Sequence, residues 1–309
     1  KLRQRGLAFI LSKFNINPRL RTISAFDQAF DASNWWMIPP VRSRWNQKIT
    51  GNSELIYEEY LAEKYFKGKS KLKILALGSG ICSHEMILAK NPEVAEIHCV
   101  DIAGTLLNQA ATNARKDGLT NMFFHTQDIG AFAFKPEYYD VIFFHASLHH
   151  FANIDQLLST TLMDTLKPKG KIVINEYVGP DRMQFPRQQI KAINDALTII
   201  PQQWRMRLKT GISKNSVSGP GYLRMYLADP SECVESSKIL PALRKYYVEK
   251  ELKPYGGNLL MLLLKDIAHH FIETSSQKTD LLKALFELED AYLEQNASDF
   301  VFGVYSKRL

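Results

Sequence analysis

The sequence predicts a doubly wound α/β fold on a mostly parallel sheet, and three observations carry that prediction. Short apolar runs alternate with helical stretches from Leu72 onward, the first run ends in the glycine turn Gly78-Ser79-Gly80, and the connections are long enough for crossovers between parallel strands. A chain of 309 residues, 45% hydrophobic, can also bury one large core, or one core with a satellite subdomain, without disulfides or metals.

The elements follow in order. Ser53 to Phe66 places Leu55, Ile56, Tyr60, Leu61 and Tyr65 at helical spacing, with Ser53 as the expected N-cap. Leu72 to Leu77 is a short apolar run suited to a strand buried on both faces, and Ser83 to Lys90 reads as the helix after its turn. Glu96 to Val100 is the second strand, Leu106 to Asp117 a helix ended by Gly118, and Met122 to Thr126 the third strand. Val141 to His145, a helix over Gln156 to Leu166 and Lys171 to Val178 complete the first five strands. After an excursion, Tyr246 to Leu252 is the sixth strand, two helices cover Asn258 to Phe271 and Lys278 to Gln295, and Phe300 to Lys307 is the seventh.

The excursion is too long for a simple connection inside a compact sheet. It predicts a helical lid insertion at about 180–244 within a domain spanning 71–309, preceded by an N-terminal helical or lid segment over 1–70. Cys82, Cys99 and Cys233 are too few and too widely spaced for a disulfide framework or a zinc pattern, which points to a reducing, cytoplasmic setting. No apolar run reaches the roughly 20 residues of a membrane span, and Lys1-Leu2-Arg3-Gln4-Arg5 does not open a signal peptide. The net charge of +7 collects partly in Lys1, Arg3, Arg5, Lys13, Arg19 and Arg21, without acidic partners, and reads as a basic terminus rather than a nucleic-acid surface.

The chemistry gathers at the carboxyl ends of the strands, where parallel sheets bind nucleosides and where a glycine turn lets a ligand approach the backbone. Leu77, Gly78, Ser79 and Gly80 form that turn. Asp101 closes the second strand about 20 residues further on, where a carboxylate can accept both ribose hydroxyls of a nucleoside; Ile102 follows it. These features alone fit a nicotinamide cofactor or S-adenosylmethionine equally.

The third and fourth strands separate the two. Gln127-Asp128-Ile129 after the third, Asp140 to His150 with its Leu148-His149-His150 loop, and Leu166-Lys167-Pro168-Lys169-Gly170-Lys171 before the fifth resemble the class I S-adenosylmethionine-dependent methyltransferases from Leu72 to Val178, with Phe300–Lys307 also fitting. The resemblance implies a seven-stranded Rossmann-like sheet with an antiparallel last strand. It also implies S-adenosyl-L-methionine as cofactor and S-adenosyl-L-homocysteine as product, with Asp101 on the ribose, Asp128 on the adenine amino group and His145 lining the cofactor cleft. Two positions depart from the family's turn: Ala76 stands where an acid is common, with Glu85 nearby as a substitute, and Cys82 where the third glycine is common.

The Asn- or Asp-Pro-Pro-aromatic motif of amide and adenine methylation is absent, as is the Pro-Cys pair of cytosine methylation. The His-rich loop resembles those of small-molecule methyltransferases, and the resemblance implies methylation of a small molecule or glycan, at oxygen, by in-line transfer with His149, His150 or Glu176 as general base. Tyr177, beside Glu176, and the aromatic residues Trp36, Trp45 and Tyr222 are the candidate substrate contacts. His269 and His270 read as packing residues, and no metal-ligand constellation emerges. The competing classes are a non-catalytic binding domain, which Ala76 and Cys82 motivate, a nicotinamide-dependent oxidoreductase, and an RNA methyltransferase.

Overall fold

The computed structural model describes residues 33–308; the basic residues Lys1 to Arg21 and the start of the predicted N-terminal segment lie outside them. The strands are β1 Leu72–Leu77, β2 Val94–Asp101, β3 Met122–Thr126, β4 Tyr139–His145, β5 Leu166–Tyr177, β6 Tyr247–Gly256 and β7 Phe300–Lys307. They form one sheet in the order β3-β2-β1-β4-β5-β7-β6. The first five pair in parallel, with Ala76 between Cys99 and Phe143, while the last strands run antiparallel. Strand order reverses between β1 and β4, so their carboxyl ends open a crevice for ligands.

All seven predicted strands are present, β1, β3 and β7 at the predicted bounds. The largest correction concerns β5. The helix expected to reach Leu166 stops at Thr165, and Leu166 already pairs with Tyr139 in the sheet before the register shifts ahead of Lys171. Leu166 is fully buried in the sheet, and Pro168, which lacks an N–H for the ladder, lies in the stretch where the pairing with β4 shifts register. The preceding helix is itself interrupted: Ile154–Gln156 and Leu162–Thr165 flank a π-turn, Leu157–Thr161. Thr160 and Thr165 hydroxyls donate back to the Gln156 and Thr161 carbonyls, a local competition that loosens the regular ladder.

The helix expected over Ser53 to Phe66 is shorter. It runs Tyr57–Leu61 and continues as a π-turn, Ala62–Phe66, while Ser53 donates to Glu54 instead of capping it. Likewise the stretch Asn258 to Phe271 breaks into Leu260–Leu264 and a 3-10 turn, Ala268–Phe271. There the buried Lys214 ammonium donates to the carbonyls of Leu262, Leu263 and Lys265, satisfying the helix end with a side chain from a distant loop. Sequence periodicity carries no trace of such a cap.

The chain divides into two compact units. One holds most of the sheet: Leu55–Val178, Ser231–Lys253 and, of the described chain, residues 301–308. Its core joins β1, β4 and β5 through Leu75, Ile142, Phe144 and Ile174 to Leu243, Tyr247 and Tyr305. The other comprises residues 33–54 of the described chain, Gly179–Pro230 and Pro254–Phe300. There the Trp35 ring meets Trp45 edge-on at 4.5 Å and Phe300 at 5.2 Å, and Arg44 forks onto Asp290 at 2.8 and 2.9 Å. The fully buried Glu289 accepts from the backbone amides of Gly257, Leu259 and Leu260, each at 3.0 Å.

Candidate cofactor and active site

The turn after β1 is held by its neighbours. Gly78 donates to the Val100 carbonyl at 2.8 Å, the Ser79 hydroxyl to the Ala76 carbonyl, and Gly80 to the Asp101 carboxylate at 2.7 Å. Gly78, at φ +69°, must be glycine for a second reason: a Cβ there would lie 2.7 Å from the Ser147 Cβ. The loop after β4 therefore rests directly on the glycine turn. Cys82, where a third glycine is common in the family, adopts φ +57°, so the backbone keeps the glycine-like conformation and Cys82 bears its cost, buried beside Cys99.

Asp101 accepts from both Gly80 and Ala103, each at 2.7 Å. These bonds orient its two oxygens and leave each with a further lone pair. Burial raises the Asp101 pKa, and the two amides oppose that shift. Asp128 accepts from Gly130 at 2.9 Å and so caps the turn that begins at Ile129, while Gln127 hydrogen-bonds through its amide to the Asp101 carbonyl. Gln127 also lines a cavity of about 220 Å³ with His98, His125 and Lys135. Ala76 is wholly buried in β1. Glu85, the substitute acid, lies in the first turn of the helix Ser83–Ala89, buried, with its pKa pushed up to about 7 by loss of solvation.

On the β4 side, His145 stacks on His84 with ring centroids 3.5 Å apart and shares a 2.7 Å hydrogen bond with the Tyr57 hydroxyl. Burial drives the His145 pKa well below its ordinary value, so the ring is neutral at physiological pH. His84 in turn pairs with Glu58. Tyr57, Glu58 and His84 were read only as parts of helices; a Tyr-Glu pair opening a helix carries no specific signal, and its meeting with His84 and His145 is a tertiary event.

The two histidines of the β4 loop are treated differently by the fold. His149 is buried, and its Nδ1 lies 2.7 Å from Glu176, while Glu176 also accepts from the amides of Ser147 and Leu148 at 2.5 and 2.6 Å. Glu176 has no exposed surface, and these three contacts tie the loop to β5. His150 is less enclosed; its Nδ1 faces the Ser231 hydroxyl at 3.1 Å, its Nε2 lies 3.9 Å from Glu232, and a proton on its ring would lower the Asp101 pKa. The Ser147 hydroxyl is buried beside the glycine turn without a hydrogen-bond partner. Tyr177 is buried with its ring edge toward His149.

The remaining predicted substrate contacts belong to the other unit. Trp36 and Tyr222 are exposed there, and Trp45 is part of the aromatic cluster with Trp35 and Tyr255. They are not brought together with the β4 loop inside one unit.

A methyltransferase-domain family model matches residues 68–245, more than half of the chain. No curated protein matches the sequence. Among solved structures, phosphoethanolamine N-methyltransferase 2 of Haemonchus contortus, complexed with phosphomonomethylethanolamine and S-adenosylhomocysteine, superposes with a TM-score of 0.52 and 16% identity, covering 86% of this chain and 57% of that one. The chain thus spans little more than half of that enzyme. Geranyl diphosphate methyltransferase in complex with SAM gives a TM-score of 0.51 at 11% identity, over 82% of this chain and 84% of that one. The [4+2]-cyclase SpnF gives 0.48 at 15% identity, over 82% and 81%. The family match spans the glycine turn, Asp101 and the β4 loop, and the sheet supplies the strand order around them: the chain belongs to the class I S-adenosylmethionine-dependent methyltransferases.

Proposed function

We propose that the protein transfers the methyl group of S-adenosylmethionine to an oxygen of a small-molecule acceptor, with His150 taking the acceptor proton. The observation that supports this reading is the contact of the β4 loop with the glycine turn, where Ser147 and Phe151, on either side of the two histidines in sequence, meet Gly78. A sulfonium is already a competent methyl donor, so the protein has to position the acceptor and remove its proton. Positive charge arriving on His150 is stabilised by Glu232 at 3.9 Å and by the field of Asp101. Glu176 and His149 hold the loop in place. On the cofactor, Asp101 takes the ribose hydroxyls, Asp128 the adenine amino group, and the orphan Ser147 hydroxyl one further polar atom.

The small-molecule acceptors of the phosphoethanolamine and geranyl diphosphate enzymes support the acceptor class. The test is a labelled-methyl transfer assay over hydroxyl, amine and carbon acceptors, beside titration calorimetry with S-adenosylhomocysteine. Label transfer to a hydroxyl that is lost in His150→Gln, with cofactor affinity kept, is the expected result. Folded protein that binds no S-adenosylhomocysteine would falsify the assignment.

A further inference from the structure

Two segments far apart in sequence bring a second set of ligands together beside the β4 loop. Donor atoms of His149, Glu232 and Cys233 lie within 4.8 Å of one another, all in the unit that holds most of the sheet. The Cys233 sulfur is 3.2 Å from Glu232 Oε1, and His149 Nε2 is 3.7 Å from the same oxygen. Bonds of about 2.0–2.3 Å to a tetrahedral ion put neighbouring donors about 3.3–3.7 Å apart, so these separations match the edges of such a site. We infer that His149, Glu232 and Cys233 bind a divalent cation of the zinc class, through His149 Nε2, one oxygen of Glu232 and the Cys233 thiolate.

The surroundings agree with that choice. His149 Nδ1 lies 2.7 Å from the buried Glu176, and since a carboxylate can only accept, the ring donates there and turns Nε2 toward Glu232 and Cys233. A carboxylate behind an imidazole is the usual support of a metal-bound histidine, fixing its tautomer and raising its basicity. Two carboxylates facing one buried imidazole, with a thiol alongside, form an anion-rich pocket that a cation neutralises. Cys233 has no exposed surface and takes φ +49°, a conformation unfavourable for a side-chain-bearing residue; it is tolerated where the surroundings fix it. Val234 donates to the His149 carbonyl at 3.2 Å, joining the segments by backbone as well. Thiolate and imidazole favour zinc-like ions over magnesium or calcium.

Glu232 engages the ion through Oε1, while its Oε2 is the oxygen nearest His150. The ion therefore leaves the proposed proton acceptor in place. Three protein ligands leave a fourth position for water or an acceptor oxygen. The spacing escaped the sequence because His149 and Cys233 are 84 positions apart, outside any short ligand motif.

The test uses the full chain, stripped by chelator and titrated with Co²⁺ and Zn²⁺, with no cofactor or acceptor present. One ion per chain, with a thiolate-to-cobalt charge-transfer band that disappears in Cys233→Ser, is the expected result. Glu176→Gln, whose NH₂ faces Nδ1 and turns the ring's proton to Nε2, should weaken Zn²⁺ by at least about 10–100-fold, while Co²⁺ that still binds keeps the thiolate band. Glu232→Gln, at a partly exposed position, serves as the ligand variant if Cys233→Ser fails to fold. Absence of a stoichiometric ion, or a band unchanged in both ligand variants, overturns the proposal. S-adenosylhomocysteine binding and methyl transfer are measured separately, so the site can fail while the methyltransferase reading stands.

Discussion

At the scale of single residues, Asp101 couples the proposed ribose contact to its own scaffold, because the same carboxylate receives Gly80 and Ala103. Asp101→Ala should weaken S-adenosylhomocysteine by about 1–3 kcal/mol, roughly 5–150-fold, read by calorimetry. Unchanged affinity would remove Asp101 from the site. Glu176→Gln addresses the other side of the cleft. A glutamine keeps the volume and one acceptor oxygen for the Ser147 and Leu148 amides, but its NH₂ faces His149 Nδ1 and reverses the ring's tautomer. The expected outcome is a folded protein with wild-type cofactor affinity and greatly reduced turnover. Equal loss of both would mean that Glu176 only holds the fold together.

Elements are where periodicity and tertiary structure part company. The short β1 was legible because burial on both faces leaves an unbroken apolar run bounded by turn residues, and β7 shares most of that pattern, whereas the half-exposed edge strand β3 was marked by its aromatic residues and the turn that follows. The break at Leu264 was not legible, since it depends on Lys214 reaching the helix end from a loop about 50 residues away. Nor was the start of β5, where apolar Leu166 fits a helix as well as a strand until Tyr139 is placed beside it. In the turn after β1, Gly78→Ala adds a Cβ that meets Ser147 and forces an alanine to φ +69°. We expect a loss of about 1–3 kcal/mol in urea unfolding, together with weaker cofactor binding.

Over the whole molecule, the buried titratable groups set opposing slopes in stability. Glu85 holds its proton to about pH 7 in the folded chain but only to 4.5 when unfolded, so between those values the unfolded chain binds fewer protons and stability falls as pH rises. His145 works the other way: its folded pKa lies well below 6.5, the unfolded chain takes up the proton first, and stability falls as pH drops below that value. Glu85→Gln should therefore melt higher relative to wild type at about pH 8 than at about pH 5. Equal differences at both would mean that Glu85 titrates normally. The family and its seven-stranded, mostly parallel sheet were legible in the alternation of strands and helices, the glycine turn, Asp101 and the Leu148-His149-His150 loop; the division into two units, which interleaves three stretches of chain in each, was not.

The position of Glu176 has a practical consequence for redesign. The backbone of the loop that carries both histidines is gripped from β5, by a residue 26 positions beyond the loop's second histidine. Transplanting a loop from another methyltransferase to alter acceptor choice will succeed only when the donor's β5 residue travels with it.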